Sequence, residues 1–351
     1  MSERPVLIPA GDLRDFTTAI LHAAGVERTH AEQWAEVLVW ANLRGHDSHG
    51  VLRIPRYLEL LRRKAINAAP NMRIERRAGA IVVLEADRAP GAVAMSRAMK
   101  EAIACARNVH VGWCSARNIT HAGAIGYFAR QAAEAGMAGI VMAASGPMMA
   151  YHGARVSGVS TNPLAIAIPG NKRPFLLDMS TSNVAMGKVL DARDKGSAVP
   201  LGWGLDAEGR DTTDPHKIAT LLPLGGAKGS GLSLMIECLA SLAVGNPLIA
   251  EALGNKEPAD NPVLNGIAIA VDIKAFGDAD AFAAEAERLA AAVRGLPRAQ
   301  GTDRILLPGE RGDSIREERE ATGVPIPKGT WSRLLTAAAN VGVNPPGQES
   351  A

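Results

Sequence analysis

Aromatic residues make up only 4% of this 351-residue chain, so alanine, valine and leucine must supply most of its packing. Cysteine is rarer still. Cys105, Cys114 and Cys238 are far apart and odd in number, which argues against a disulfide framework and for small buried hydrophobes in a reducing compartment. No two of them have zinc-ligand spacing. A net charge of +2 offers no broad basic face for nucleic acid. The longest apolar runs, such as 138–144 and 267–271, read as too short to span a bilayer. The opening MSERPVLIPAGD lacks a charged start followed by an apolar core, which predicts no signal peptide and a cytoplasmic protein.

What is present fits a soluble globular chain of two or three lobes, with 47% hydrophobic and 21% charged residues. Leu13, Phe16, Ile20 and Ala24 keep helical spacing before Gly25. Thr29-His-Ala-Glu32 reads as a capping box for a helix carrying Trp34, Leu38 and Ala41, ending near Gly45. Pro55 suits the first turn of another helix bearing Tyr57, Leu58, Leu61 and Ile66. From about residue 80 the pattern alternates. Strands are predicted at 80–86, 111–115, 139–143, 164–168, 175–177 and 267–273, and helices at 93–106, 125–135, 183–193, 232–243 and 279–293. Helical spacing returns at 314–321 and 329–341. The expected plan is α/β of the α+β kind: an N-terminal helical part (1–78), an αβ part (79–305) and a C-terminal helical part (306–351) that packs with the first.

The densest chemistry lies in Arg44-Gly-His-Asp-Ser-His-Gly-Val-Leu-Arg53. Histidine gives or takes a proton near neutral pH, and arginine holds a carboxylate with two parallel hydrogen bonds. Interconversion of a 2-keto and a 2-hydroxy acid needs both close together. His49 and Arg53, four residues apart, point to one side if the turn is helical. Two other readings compete. His46, Asp47 and His49 could bind a metal in a hydrolase, although no known metal spacing is matched, so no metal is expected. A histidine could also simply satisfy a helix end.

Thr120-His-Ala-Gly-Ala-Ile-Gly126 follows a predicted strand and precedes a helix, where a helix dipole would keep His121 neutral. Neutral histidine can accept an alcohol proton, but His121 could equally be a loop residue beside turn glycines. Gly225-Gly-Ala-Lys-Gly-Ser-Gly231 resembles a phosphate cradle with Lys228, yet matches neither a Walker motif nor a GxGxxG fingerprint. Its glycines also suit tight packing. Asp178-Met-Ser-Thr-Ser182 could cap a helix or bind ribose and phosphate. Ser160-Thr-Asn-Pro163 could touch substrate or form a turn, and Leu307-Pro-Gly-Glu310 reads as a turn after a short strand.

Together these motifs resemble the malate/L-lactate dehydrogenase superfamily that is separate from the Rossmann-type lactate and malate dehydrogenases. Ureidoglycolate and sulfolactate dehydrogenases, 2,3-diketogulonate reductase and Δ1-piperideine-2-carboxylate reductase are members. The resemblance runs from about Ala31 to Glu310, through HDSHGVLRIPRY, GYFARQAAEAGMAGI, STNPLAIAIP, LLDMSTS, GWGLDAEGRDTTDP, LPLGGAKGSGL and LPGE. It implies a non-Rossmann nicotinamide-binding domain with a largely antiparallel sheet, a helical domain from both chain ends, and a homodimer with its site near the subunit interface. It implies NAD or NADP as cofactor and a small carboxylate as substrate. On this resemblance His49 is the proton donor, with Ser48 beside it, and His121 the alternative proton acceptor. Arg53 clamps the carboxylate and Thr161 contacts the substrate. His121, Gly123, Ser145, Asp178, Met179, Ser180, Lys228, Gly229, Pro308, Gly309 and Glu310 match cofactor-binding positions.

Some positions depart from the pattern. The family often has Ser-Asn-His-Phe-Gly where this chain has Ile119-Thr-His-Ala-Gly123, and Lys-Gly-Tyr-Gly in place of Lys228-Gly-Ser-Gly231. The loss of two rings predicts a roomier pocket or altered cofactor contacts. Asp87-Arg-Ala-Pro-Gly91 is atypical too. Lys188 stands where the piperideine-carboxylate reductase branch has an acidic residue, which weakens a relay through Ser48 and makes reduction of a cyclic imine the alternative activity.

Overall fold

The computed structural model describes residues 4–254 and 263–346. Residues 1–3 and 347–351, which the expected terminal parts include, lie outside the described residues, as do 255–262. In chain order, β1 (Val6–Ile8), α1 (Ala10–Ala23), α2 (Arg28–Leu43), two short 3-10 turns (Asp47–His49 and Val51–Arg53) and α3 (Ile54–Arg62) come first. Next are β2 (Arg73–Ala78), β3 (Ile81–Glu85), α4 (Gly91–Val109), β4 (Val111–Ile119), α5 (Gly126–Glu134) and β5 (Met137–Ala144). They are followed by β6 (Met149–Ala150), β7 (Ser157–Val159), β8 (Leu164–Ile168), β9 (Phe175–Met179) and α6 (Met186–Lys195). The remainder is β10 (Gly204–Leu205), β11 (Thr220–Leu221), α7 (Ala227–Ala240), α8 (Ile249–Gly254), β12 (Leu264–Asp272), α9 (Ala279–Arg294), α10 (Glu310–Thr322), β13 (Val324–Ile326) and α11 (Lys328–Ala339).

The main sheet has seven strands in the order β2-β3-β4-β12-β5-β8-β9. Only β3 and β4 pair in parallel; every other neighbour is antiparallel. β12 is central, and its unbroken apolar run from Gly266 to Ala270 is buried on both faces. The scarcity of rings is met by close packing of small residues. A Cβ at Gly112 of β4 would lie 1.8 Å from the carbonyl oxygen of Ala102, so the alanine-rich α4 rests directly on the sheet. The chain ends meet where β1 pairs antiparallel with β13, Val6 opposite Ile326.

Several expectations are corrected. The N-cap of α2 is Glu27, whose carboxylate accepts from the N–H groups of Thr29 and His30 at 3.1 and 3.2 Å. Thr29 lies inside the helix, and Glu32 pairs with Arg28 instead of closing a capping box. Ile66 lies beyond the end of α3, and no strand lies directly before the Leu307–Glu310 turn. α6 begins at Met186, three residues later than its periodicity suggests. α7 begins at Ala227, so Lys228 to Gly231 belong to its first turns. The short strands β1, β2, β6, β7, β10, β11 and β13 were not predicted, because two to six residues with few apolar alternations carry little periodic signal.

One apolar stretch is longer than run-counting indicated. Among the described residues, Ala227–Val244 alone is long and apolar enough to cross a membrane, with a mean hydropathy of 1.3. Glu237 sits in its middle. Its buried carboxylate accepts hydrogen bonds from the Leu248 and Ile249 N–H groups and from the Ser241 hydroxyl, at 2.8 to 3.1 Å. The carboxylate thereby ties α7 to the start of α8 inside the fold.

Candidate active site

The stretch from Arg44 to Arg53 is held by polar pins on both sides. Asn42 is buried near the end of α2, within an otherwise apolar run. Its Oδ1 accepts from Val51 N–H at 2.9 Å, and its Nδ2 donates to Asp47 Oδ1 at 2.7 Å. A Cβ at Gly50 would meet Asn42 Oδ1 at 2.1 Å, so no other residue fits there without displacing that amide. Arg319 on α10 donates two hydrogen bonds to Asp47, at 2.7 and 3.1 Å, and another to the carbonyl of Asn42. Asp47, weighed above as a metal ligand, is committed to this strap. Arg44, buried at the end of α2, pairs with Asp313 and donates to the carbonyl of Gly309 at 2.9 Å. The motif thus touches the Pro308–Glu310 turn directly. That turn is seated on β9 by Leu176 N–H donating to Pro308 O at 3.1 Å.

Within this frame the reactive side chains converge. His49 Nδ1 lies 2.9 Å from Ser48 Oγ. The His49 and His121 rings stack with centroids 5.6 Å apart and 20° between planes. Tyr57 Oη is 2.7 Å from His121 Nδ1. Arg53 donates from Nε to Ser48 O at 2.7 Å, and among the described residues no carboxylate pairs with its guanidinium. Thr120 anchors the His121 loop: its hydroxyl donates to Ala89 O at 3.0 Å and accepts from Gly91 N–H, the first amide of α4, at 3.2 Å. Upstream, the atypical Asp87 segment is a structural turn, with Asp87 accepting from Asn67 and Asn71.

Burial, then the nearby Arg53 cation, then His46, push His49 down to about 4. His121 is held well below the ordinary histidine range, by burial first and by His49 and Arg53 next. This corrects the dipole argument, because α5 begins at Gly126, five residues past His121. His46 is lowered by its crowding first, with Asp178 pulling the other way. Asp178 is raised by burial, opposed by the Gly126 N–H that donates to its Oδ2 at 2.8 Å, then by His46 and Arg44.

A second polar group lies around α7. Ser145 Oγ is 2.5 Å from Ser160 Oγ, and Ser145 N–H donates to Asn162 Oδ1 at 3.2 Å. Ser233 donates to Ser160 O at 2.6 Å, and Thr161 O accepts from Thr181 N–H at 3.1 Å. Ser180 Oγ lies 2.9 Å from Ser182 Oγ. Thr161 falls in this group; among the described residues no hydrogen bond joins it to Arg53 or His49. The glycine-rich turn spends most of its amides internally: Gly226, Lys228 and Gly229 donate to Pro223, Gly225 and Leu224. Gly229 is needed for packing, since a Cβ would lie 2.5 Å from the carbonyl oxygens of Leu224 and Thr181. Among the described residues, the Ala227 N–H and the Lys228 ammonium have no hydrogen-bond partner. Thr181 Oγ1, beside Ser180, is buried without a hydrogen-bond partner among the described residues. Ala122 and Ser230, where two rings are missing, are themselves buried.

Tyr57, Asn42 and Arg319 escaped the sequence reading. An asparagine inside an apolar helical run, and a tyrosine four residues after Arg53, were the available signals.

The chain matches the family described as malate/L-lactate dehydrogenase over residues 8–335. It is 34% identical over 353 residues to a malate dehydrogenase of Pyrococcus abyssi, covering 98% of this chain and 97% of that one. It is 34% identical over 319 residues to the ureidoglycolate dehydrogenase (NAD(+)) of Escherichia coli O157:H7, covering 90% and 91%. Its fold is similar to that of the sulfolactate dehydrogenase from Methanocaldococcus jannaschii, with a TM-score of 0.88, 33% identity, and coverage of 97% and 98%.

The surroundings of His49 set its titration. The proton resonances of His49 in the free protein should titrate with a midpoint of about 4, and Arg53→Met should raise it by removing the neighbouring cation. Since histidine in the unfolded chain titrates near 6.5, the unfolded state gains this proton first, and the residue lowers stability as pH falls from about 6.5 to about 4. A midpoint near 6.5 would contradict this picture.

Proposed function

The chain belongs to the malate/L-lactate dehydrogenase family and is a dehydrogenase acting on a CH–OH donor, and from that premise we propose that it interconverts a small 2-hydroxy carboxylate and its 2-keto partner. The observation that carries this reading is the Arg53 guanidinium, which has no carboxylate partner among the described residues, beside two neutral, stacked histidines. Arg53 fixes the carboxylate, which places the second carbon and its oxygen against the imidazoles. The histidines hold or take the proton of that oxygen, and Arg53 with a histidine N–H stabilises negative charge developing there.

The cofactor of this reading is NAD or NADP, which when bound exchanges a hydride with the substrate's second carbon. The residues present fit it. Among the described residues Thr181 Oγ1 is buried and unpartnered, and the Ala227 N–H and Lys228 ammonium have no partner and can take a phosphate; Met179 ends β9 and Ser180 follows it, next to Thr181. Gly123, Ser145 and Asp178 would complete its binding surface. Beside Pro308 and Glu310 lies an open cleft of about 680 Å³ lined by Lys172, Arg298 and Arg304, suited to the phosphate-bearing adenosine end.

The assembly of this reading is a homodimer. It is supported by an exposed apolar stripe on α7 and the turn after it, Leu232, Met235, Leu239 and Leu242, at helical spacing. Wild type should sediment as a dimer and Leu239→Glu as a monomer; a monomeric wild type would remove the proposal.

A panel of 2-keto acids with NADH and NADPH, followed by loss of reduced-nicotinamide absorbance, tests the activity. Turnover with at least one pair is expected. Activity without nicotinamide that a chelator abolishes would favour the hydrolase reading, and turnover of cyclic imines alone would favour the imine reductase. Arg53→Gln should lower kcat/KM for the best acid about 100-fold, mainly through KM, because a carboxylate loses its charged partner. An unchanged KM would defeat the clamp.

A further inference from the structure

We propose that Tyr57 is a positioning residue that locks His121 in the tautomer carrying its proton on Nε2, so that His121 presents an N–H donor to the substrate oxygen while His49 takes the proton. This rests on the reading of His49 and His121 as the groups facing that oxygen.

Tyr57 is 2% exposed, and its hydroxyl has one partner among the described residues, His121 Nδ1, at 2.7 Å. Were Nδ1 the donor, the phenolic hydrogen would be buried with no acceptor, an arrangement folded proteins avoid. Tyr57 therefore donates, Nδ1 accepts, and a neutral His121 must carry its hydrogen on Nε2. Burial keeps the tyrosine protonated, since it raises the phenol well above its ordinary value. The ring is fixed as well: Trp34 of α2 packs on Tyr57 with centroids 4.8 Å apart. α3, which carries Tyr57, begins one residue after Arg53, so the clamp and the lock share one short segment.

His49 has no such lock. Its Nδ1 faces Ser48 Oγ, and a hydroxyl can donate or accept equally well. With Nδ1–H donating to Ser48, His49 Nε2 offers a lone pair. In the oxidation direction the O–H bond of the substrate breaks and the His49 Nε2–H bond forms, while the His121 Nε2–H bond persists and the electron pair stays on the substrate oxygen. His121 cannot be the acceptor unless its own proton leaves Nε2, and Tyr57 opposes that exchange of tautomers. The stacked pair is thus asymmetric, with a fixed donor and a switchable acceptor.

Nitrogen-15 NMR of histidine-labelled protein reads the tautomer directly, with His121 assigned by the signals lost in His121→Gln. At neutral pH wild type should show pyrrole-type Nε2 and pyridine-type Nδ1 for His121. Tyr57→Phe, which keeps the ring on Trp34, should produce a tautomer mixture and lower kcat about tenfold with little change in KM. A pyrrole-type Nδ1 in wild type, or unchanged tautomer and kcat in Tyr57→Phe, would overturn the proposal. If Tyr57→Phe does not fold, the wild-type spectrum alone decides. Absence of turnover on every hydroxy and keto acid would sink the functional reading while leaving the tautomer result standing.

Discussion

The site depends on how Asp47 is held. Two consecutive 3-10 turns have poor internal hydrogen-bond geometry and would not keep His49 and Arg53 in register alone. Arg319 from α10 and Asn42 from α2 grip Asp47 from opposite sides, and Asn42 also takes the Val51 N–H. With the Asp47 side chain 41% exposed, the ion pair contributes little to global stability. Its value is geometric. It fixes a loop between two helices far apart in sequence, and Arg44 extends the same strap to the Pro308–Glu310 turn. One motif therefore aligns the groups proposed for proton transfer with the turn proposed for the cofactor.

The electrostatics follow from that geometry. Crowding and the Arg53 cation keep both histidines neutral in the free protein. A carboxylate bound to Arg53 cancels part of that cation's effect and raises the proton affinity of His49. On the proposed reading, substrate binding would thus tune His49 toward working pH, and Arg53 would serve proton transfer as well as orientation.

Much of the fold was legible in the sequence because its main helices and the inner strands carry clear periodicity, and the glycine stops at Gly25 and Gly45 hold. The largely antiparallel sheet was implied by the family resemblance, since periodicity does not report strand direction. Edge strands and boundaries were less visible. Glu27 displaced Thr29 as the α2 cap because a glutamate one residue before the helix can reach two amides. At the site, sequence spacing put His49 and Arg53 together, but nothing local could show that Tyr57 would meet His121, 64 residues away, or that Asp47 would meet Arg319, 272 residues away. The glycine-rich turn resembled a phosphate cradle more strongly than its internally bonded amides support.

The central claim is that the Asp47–Arg319 strap acts as one unit that holds the reactive turn. A double-mutant cycle on kcat/KM with Asp47→Asn, Arg319→Gln and the pair tests it most directly. Each single change should lower kcat/KM at least about tenfold, and the double variant should be no worse than the poorer single, because either change already releases the turn. Losses that multiply in the double variant, or single variants with wild-type activity, would contradict the account.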